Sequence, residues 1–495
     1  MSDHLRDFYD LLGITRDASP EEIRRAFFES AQRLHPDKNK AAGETELFLD
    51  VKQAYETLSN PNLRAEYDAT LPTDETPSLP YQYKFMFSRS SLVRLEEPQM
   101  LYFFMDLGVA PEARSSTSPP LNVSLVIYCS TSMKGAKMDT VKSTVIQVLR
   151  HLRPQDILSI VAFSDRAEVI IPAAFQQERS RMESQILRIQ PSGATEIFQG
   201  LEAGGKEILR SIDSKRLHHL VLLTDGQTYG DEEQCLELSS NLAEKGIGIS
   251  AMGIGGEWND SFLDALASRT GGSAYHLAEP QDIKRLLLEK FNALAQTFAE
   301  EITLELKPVE GVELSRVFRI QPDQAPIAFD EGKLHLGSIL QDTATRVIFE
   351  YMIEPKAVKS DTLMFMDGIL KVSIASLPLP VPPLRMRLQR PVLETAGLDS
   401  PPVEIQQALS RLMLYQMQER AREEIHKGNI AKATQQLQRL ASNLLSQGEK
   451  SLAQTIMFEV DSLERRETLS EQGSKKLKYG TRALILAPPK KELVQ

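Results

Sequence analysis

Apolar residues recur at helical spacing in two early stretches of the chain. Ile23, Phe27, Ala31 and Leu34 fall near a 3.6-residue period, and Phe48, Val51, Tyr55 and Leu58 do the same. A shorter helical pattern, Asp7 to Leu12, precedes them and stops at Gly13. Ser19-Pro20-Glu21-Glu22 is a capping box with proline at the first helical position. Two amphipathic helices joined by a polar loop pack antiparallel and bury their stripes against each other. Pro36 fixes its own φ and pushes His35 out of the helical region, so the first helix ends there. The loop His35-Pro36-Asp37-Lys38-Asn39 therefore offers an imidazole and a carboxylate on a stiff, exposed frame. A short terminal helix, Asn60 to Asp68, closes the unit.

The period then changes. Tyr81, Tyr83, Phe85 and Phe87 alternate with other residues, as do Leu101, Phe103, Met105 and Leu107, which predicts strands with one buried face. Asn122 to Phe291 alternates short apolar runs (Val123–Cys129, Ile157–Phe163, Val169–Ile171, Leu220–Leu223, Ile247–Met252, Ala274–His276) with helical patterns, which predicts a mostly parallel sheet covered by helices. Strand patterns return at Ile302–Leu306, Val317–Ile320, Lys333–Leu336, Arg346–Ile353 and Gly368–Ala375. The economical arrangement is one β-sandwich built from both β groups, with the α/β unit inserted between them. Pro378 to Pro391 reads as an extended crossing. Val403–Lys427, Ile430–Gln447 and Lys450–Arg466 read as three helices, faintly similar to a tetratricopeptide hairpin and expected to pack on the other domains or to self-associate. The fold class is thus multidomain: an all-α unit at 1–71, a linker at 72–80, a β-sandwich at 81–120 and 297–390, an α/β Rossmann-like unit at 121–296, a helical unit at 400–467 and a tail at 468–495.

Composition narrows the function. A length of 495 residues exceeds what one hydrophobic core supports. The net charge of −11 argues against nucleic acid as a partner. Two cysteines, Cys129 and Cys235, form no disulfide framework and suit a reducing compartment. Met1 to Asp7 is polar and acidic where a secretory leader is basic and then apolar. The longest apolar runs fall short of the ~20 residues that span a bilayer, so the expectation is a soluble cytoplasmic protein with no membrane span. Gly253-Ile254-Gly255-Gly256 has no following Lys-Ser/Thr pair and is read as a turn rather than a phosphate loop. His218-His219 are expected at the surface or at a strand start, and Lys475-Lys476-Leu477-Lys478 as a solvated face of the tail. No nucleophile elbow, HExxH or P-loop is present, so the chain is read as a non-enzyme.

Order makes the first unit specific. Asp7-Phe8-Tyr9-Asp10-Leu11-Leu12-Gly13, the capped helix, His35-Pro36-Asp37, Ala54-Tyr55-Glu56-Thr57-Leu58-Ser59, then Arg64 with Tyr67-Asp68, together resemble the J-domain family over Asp3 to about Leu71. The resemblance implies that His35, Pro36 and Asp37 contact the ATPase domain and interdomain linker of a DnaK-type chaperone and favour its hydrolysis-competent arrangement. Arg24, Arg25, Arg33 and Lys38 would supply the basic surface. Phe28 and Glu29 stand where the family tends to be basic, and residues 1–70 carry nine Lys/Arg against fourteen Asp/Glu. Electrostatic steering is therefore weaker, or adapted to a particular chaperone.

In the α/β unit, polar residues gather after strand patterns: Ser130 and Ser132, Thr195, and Asp225. Hydroxyls and a carboxylate from three loops suit a hard cation such as Mg²⁺, and in such sheets ligands sit at the carboxyl ends of the strands. The constellation resembles the metal-ion-dependent adhesion site (MIDAS) of the von Willebrand factor A (vWA) family over about Asn122 to Phe291. The family's Asp-x-Ser-x-Ser reads here Tyr128-Cys129-Ser130-Thr131-Ser132, so one expected carboxylate is missing. Three readings stay open: a Mg²⁺ site, metal-free binding by the same surface, or a vestigial site. The combined expectation is a co-chaperone that recruits a DnaK-type chaperone and requires no cofactor, with the vWA-like module binding a client or partner protein. The alternative is a vWA scaffold or metal-dependent assembly factor whose J unit only mediates interaction.

Overall fold

The computed structural model describes residues 8–16, 18–34, 44–68, 79–114, 118–174, 178–191, 196–225, 230–256, 258–329, 332–377, 379–395, 400–466 and 468–484. Four helices open the chain: α1 (Phe8–Leu12), α2 (Pro20–Leu34), α3 (Glu44–Leu58) and α4 (Pro61–Asp68). The capping box is formed: the Ser19 amide donates to Glu22 Oε2 at 2.6 Å, and the Glu22 amide to Ser19 Oγ at 3.3 Å. Ile23 and Ala26 of α2 bury against Val51, Ala54 and Leu58 of α3, and Phe27 stacks on Tyr55 at 4.2 Å.

Two five-stranded sheets follow. One has the order β1 (Tyr81–Phe87), β3 (Gln99–Val109), β14 (Thr345–Ile353), β11 (Val312–Gln321), β12 (Ala325–Pro326). The other runs β13 (Lys333–Leu340), β10 (Thr297–Lys307), β15 (Thr362–Ser373), β16 (Leu384–Leu393), β2 (Leu92–Val93). Pairing of β3 with β14, with Phe103 opposite Phe349, joins strands from before and after the α/β unit into one sheet. Phe103, Phe349 and Phe365 form the centre of the sandwich core. Pro378–Pro391 is only in part the expected crossing. From Leu384 the chain is a strand paired with β15, and Pro391 sits toward its end opposite Thr362, a place where a missing donor costs little. Leu379 buries in the α1–α3 core, so the crossing also seats the first unit on the sandwich.

The inserted sheet has the order β6 (Ala167–Ile171), β5 (Ile157–Phe163), β4 (Leu121–Tyr128), β7 (Leu217–Thr224), β8 (Ile247–Ile254), β9 (Ala274–Leu277), parallel except for the edge strand β6. Helices α5 (Ala136–His151), α6 (Arg179–Leu187) and α10 (Pro280–Ala295) form one covering group, and α7 (Ile197–Leu209), α8 (Glu232–Ala243) and α9 (Asp260–Ser268) the other. Every residue of β4 and β7 is buried, as strands covered on both faces must be. Gly200 and Gly204 let α7 press onto that sheet: a Cβ there would stand 2.6 Å from the Phe163 ring and 2.5 Å from Val126. His218 and His219 stand at the start of β7, one of the two expected places, and not at the surface. Both are buried in β7, where His218 meets the Asn122 amide at 3.1 Å and His219 meets Ser250 Oγ at 3.0 Å. Burial pushes both imidazoles toward the neutral form.

The C-terminal helices are α11 (Val403–His426), α12 (Ile430–Ser446), α13 (Lys450–Arg466) and α14 (Glu471–Leu484). Ile405, Ala408, Leu412 and Tyr415 of α11 pack on Met86, Phe104, Phe318 and Ile348 of the first sandwich sheet. The expected solvated tail is instead α14, and the helical unit runs past its expected end at 467. Lys475 and Lys478 are buried. Lys478 Nζ lies 2.6 Å from Asp260 and 2.7 Å from Asp264 on α9, and Arg482 grips Asp264 through two bonds of 2.9 and 2.7 Å. Arg422 of α11 completes the cluster on Asp260 at 2.7 and 3.1 Å. Among the described residues no helix is long and apolar enough to cross a membrane.

Candidate functional sites

The α2–α3 hairpin is held at its base by a second layer of contacts. The Phe8 amide donates to Tyr67 Oη at 2.8 Å, and the two rings stack at 4.3 Å. Tyr9 Oη donates to Asp68 at 2.6 Å and accepts from Arg64 Nε at 2.9 Å, while Arg64 also reaches the Arg16 carbonyl. Burial and the Asp68 bond push the Tyr9 phenol up to about 12. These contacts tie α1 to α4 and so fix the start of α2 relative to α3. His35, Pro36, Asp37, Lys38 and the side chain of Arg33 lie outside the described residues. Arg24 and Arg25 are exposed on α2; Arg24 lies over the Phe28 ring at 5.7 Å and Arg25 faces Glu29 at 4.0 Å. Phe28 is 57% exposed, an apolar surface where a basic one was the family expectation.

At the other candidate site, the carboxyl ends of the central strands β4 and β7 bring three of the four anticipated residues together. Ser130 caps the short 3₁₀ turn Thr131–Met133, accepting from the Ser132 amide at 3.2 Å. The two hydroxyls are 2.5 Å apart, and Ser132 Oγ donates to Asp225 Oδ1 at 2.8 Å. Thr195 lies outside the described residues. Tyr128 ends β4 buried, its ring 5.3 Å from Phe163, so the residue that replaces the expected aspartate belongs to the core. Burial holds the Cys129 thiol up at about 12, which removes it as a nucleophile.

The sequence reading missed one residue here. Lys137, in the first turn of α5, donates from Nζ to Asp225 Oδ2 at 2.6 Å; Asp225 is 2% exposed at its side chain and Lys137 32%. Both carboxylate oxygens of Asp225 are therefore engaged, one by a hydroxyl and one by an ammonium. Its signal in the sequence was faint: a cation at a helix N-terminus, where the helix dipole disfavours it. Among the described residues the cluster offers one carboxylate, paired with the Lys137 ammonium. Among the described residues no three His, Cys, Asp or Glu side chains converge as a metal cage.

A family model described as DnaJ domain matches residues 7–68, and one described as von Willebrand factor type A domain matches 122–289. The chain carries a DnaJ domain and a vWA domain. A third model, Sll0103-like C-terminal alpha-helical domain, matches 403–487, and so includes α14 and stands in place of the tetratricopeptide likeness. The chain is 26% identical to "Uncharacterized protein sll0103" of Synechocystis sp. over 384 residues, covering 74% of this chain and 89% of that protein. Its DnaJ domain is 49% identical over 63 residues to the "Chaperone protein DnaJ" of Cyanothece sp., covering 13% of this chain and only 17% of that relative. Among solved structures, a von Willebrand factor type A protein from Catenulispora acidiphila superposes with a TM-score of 0.63 at 14% identity, over 82% of this chain and 98% of that one. At that identity the likeness establishes the fold alone.

Proposed function

We propose that this protein is a co-chaperone that recruits a DnaK-type chaperone through its DnaJ domain to a partner or client protein held by the vWA assembly. The observation that carries the reading is the match of residues 7–68 to the DnaJ family, joined to the packing of α2 on α3, the two helices between which His35-Pro36-Asp37 fall in sequence. The work is done by the partner ATPase. The co-chaperone supplies differential binding: contacts made better with the hydrolysis-competent state shift the chaperone toward it. Phe28 and the low positive charge of α2 favour a docking surface with more apolar contact and less long-range steering than a strongly basic helix provides. Cys129 and Cys235 are buried free thiols, a state that a reducing cytoplasm maintains, and the reading places the protein there.

The test is a dose–response of a DnaK-type ATPase to the full-length protein and to Asp37→Asn. Stimulation by the first and none by the second, with identical far-UV circular dichroism, supports the reading. Equal stimulation by both refutes the role given to Asp37.

A further inference from the structure

We infer that the ammonium of Lys137 takes the place of the divalent cation at the strand-end site of the vWA domain, making that site metal-independent. Two departures from the family pattern compensate each other. Tyr128 removes one negative charge from the site, and Lys137 adds one positive charge. Two carboxylates around a dication and one carboxylate against one ammonium both sum to zero, so the buried Asp225 is neutralised either way.

The geometry agrees with the charge balance. Lys137 Nζ sits 2.6 Å from Asp225 Oδ2, while Ser132, bonded to Ser130, holds Oδ1 at 2.8 Å. A dication entering the same polar cluster would meet the ammonium at close range, and would have to displace it to reach the buried Asp225. Lys137 stands in the first turn of α5, after Gly135 at φ 77° with no side-chain cap, where the helix dipole repels a cation; Asp225 supplies the opposing attraction. The inference concerns cation chemistry alone, so it stands or falls independently of the chaperone reading.

The test is thermal melting of the full-length protein, with and without millimolar MnCl2 or MgCl2, followed by Trp258 emission. The wild type should be unmoved by either metal. Lys137→Met should melt roughly 2–4 °C lower, because it leaves the buried Asp225 carboxylate without its counter-ion, and either metal should recover much of the loss. Lys137→Met/Asp225→Asn should recover it without metal. A wild-type melt raised by metal overturns the inference, as does a Lys137→Met variant that loses nothing or whose loss no divalent cation repairs. Should that variant fail to fold, calorimetric titration of the wild type with MnCl2 decides: a flat trace upholds the inference, and binding heat that Asp225→Asn abolishes overturns it.

Discussion

Removing the Asp264 carboxylate should unseat α14 from the vWA domain. Asp264 accepts two bonds from Arg482 and one from Lys478, and the side chains of both cations are 3% exposed. Asp264→Ala leaves two buried cations, Lys478 and Arg482, and the half-buried Arg422 facing Asp260 and the more distant Glu419 at 3.6 Å from Arg422. Breaking one partner out of a buried ion pair costs about 3–5 kcal/mol, because the remaining charge keeps its desolvation penalty. Each 1.4 kcal/mol is a factor of ten, so the ratio of seated to unseated α14 should fall by roughly 10²-fold to a few times 10³-fold. Two assays read this. Amide hydrogen exchange across Glu471–Leu484 should accelerate by that factor while α12 keeps its protection. Trp258, the single tryptophan of the chain, is 2% exposed beneath Lys475 at 5.1 Å and beside Tyr479 at 5.9 Å. Its emission should move to the red as water enters. Exchange in α14 within about threefold of the wild type would refute the claim that these charges are buried and mutually dependent.

Two further predictions concern pH. Burial alone would raise the carboxyls of Asp260 and Asp264, but Lys478 and Arg422 at the first, and Arg482 and Lys478 at the second, outweigh it; Asp260 is held well below the usual carboxylate range and Asp264 is lowered. A depressed folded value means that the stabilisation is fully present above about pH 4 and is lost as pH falls further. Protection of α14 should therefore drop below about pH 4, and less steeply in Asp264→Asn; identical acid profiles would contradict the assignment. Glu300 behaves oppositely. Burial at the junction of sandwich and vWA domain pushes its carboxyl up to about 7, offset only in part by the Ala375 amide at 2.7 Å. Stability is then present at low pH and lost as pH rises through about 7. Glu300→Gln should raise the unfolding free energy at pH 8 by up to ~3 kcal/mol and change it far less at pH 5, measured by urea unfolding; no gain at pH 8 would disprove it.

What the sequence made legible was local. The capping box at Ser19–Glu22, the proline stop before Asp37 and the two apolar stripes act within a few residues, so pattern alone carried the hairpin. The β/α alternation from Asn122 carried the parallel sheet for the same reason, and the strand-end serines and Asp225 followed from it. What was hidden depends on partners far along the chain. Lys475 and Lys478 read as solvated because lysines usually are; the carboxylates that permit burial stand 218 residues away from Lys478 and Arg482. Lys137 was missed because Asp225 is 88 residues distant, and nothing near Lys137 in sequence announces the pair. His218 and His219 could be placed in the core only once Asn122 and Ser250 were seen beside them.

The decisive measurement is single-turnover hydrolysis of ATP preloaded on a DnaK-type chaperone, with the full-length protein added at increasing concentration. A J-domain co-chaperone raises that rate to a saturating plateau. A rate that stays at its basal value at every concentration would reduce the protein to a multidomain binder whose DnaJ domain triggers nothing.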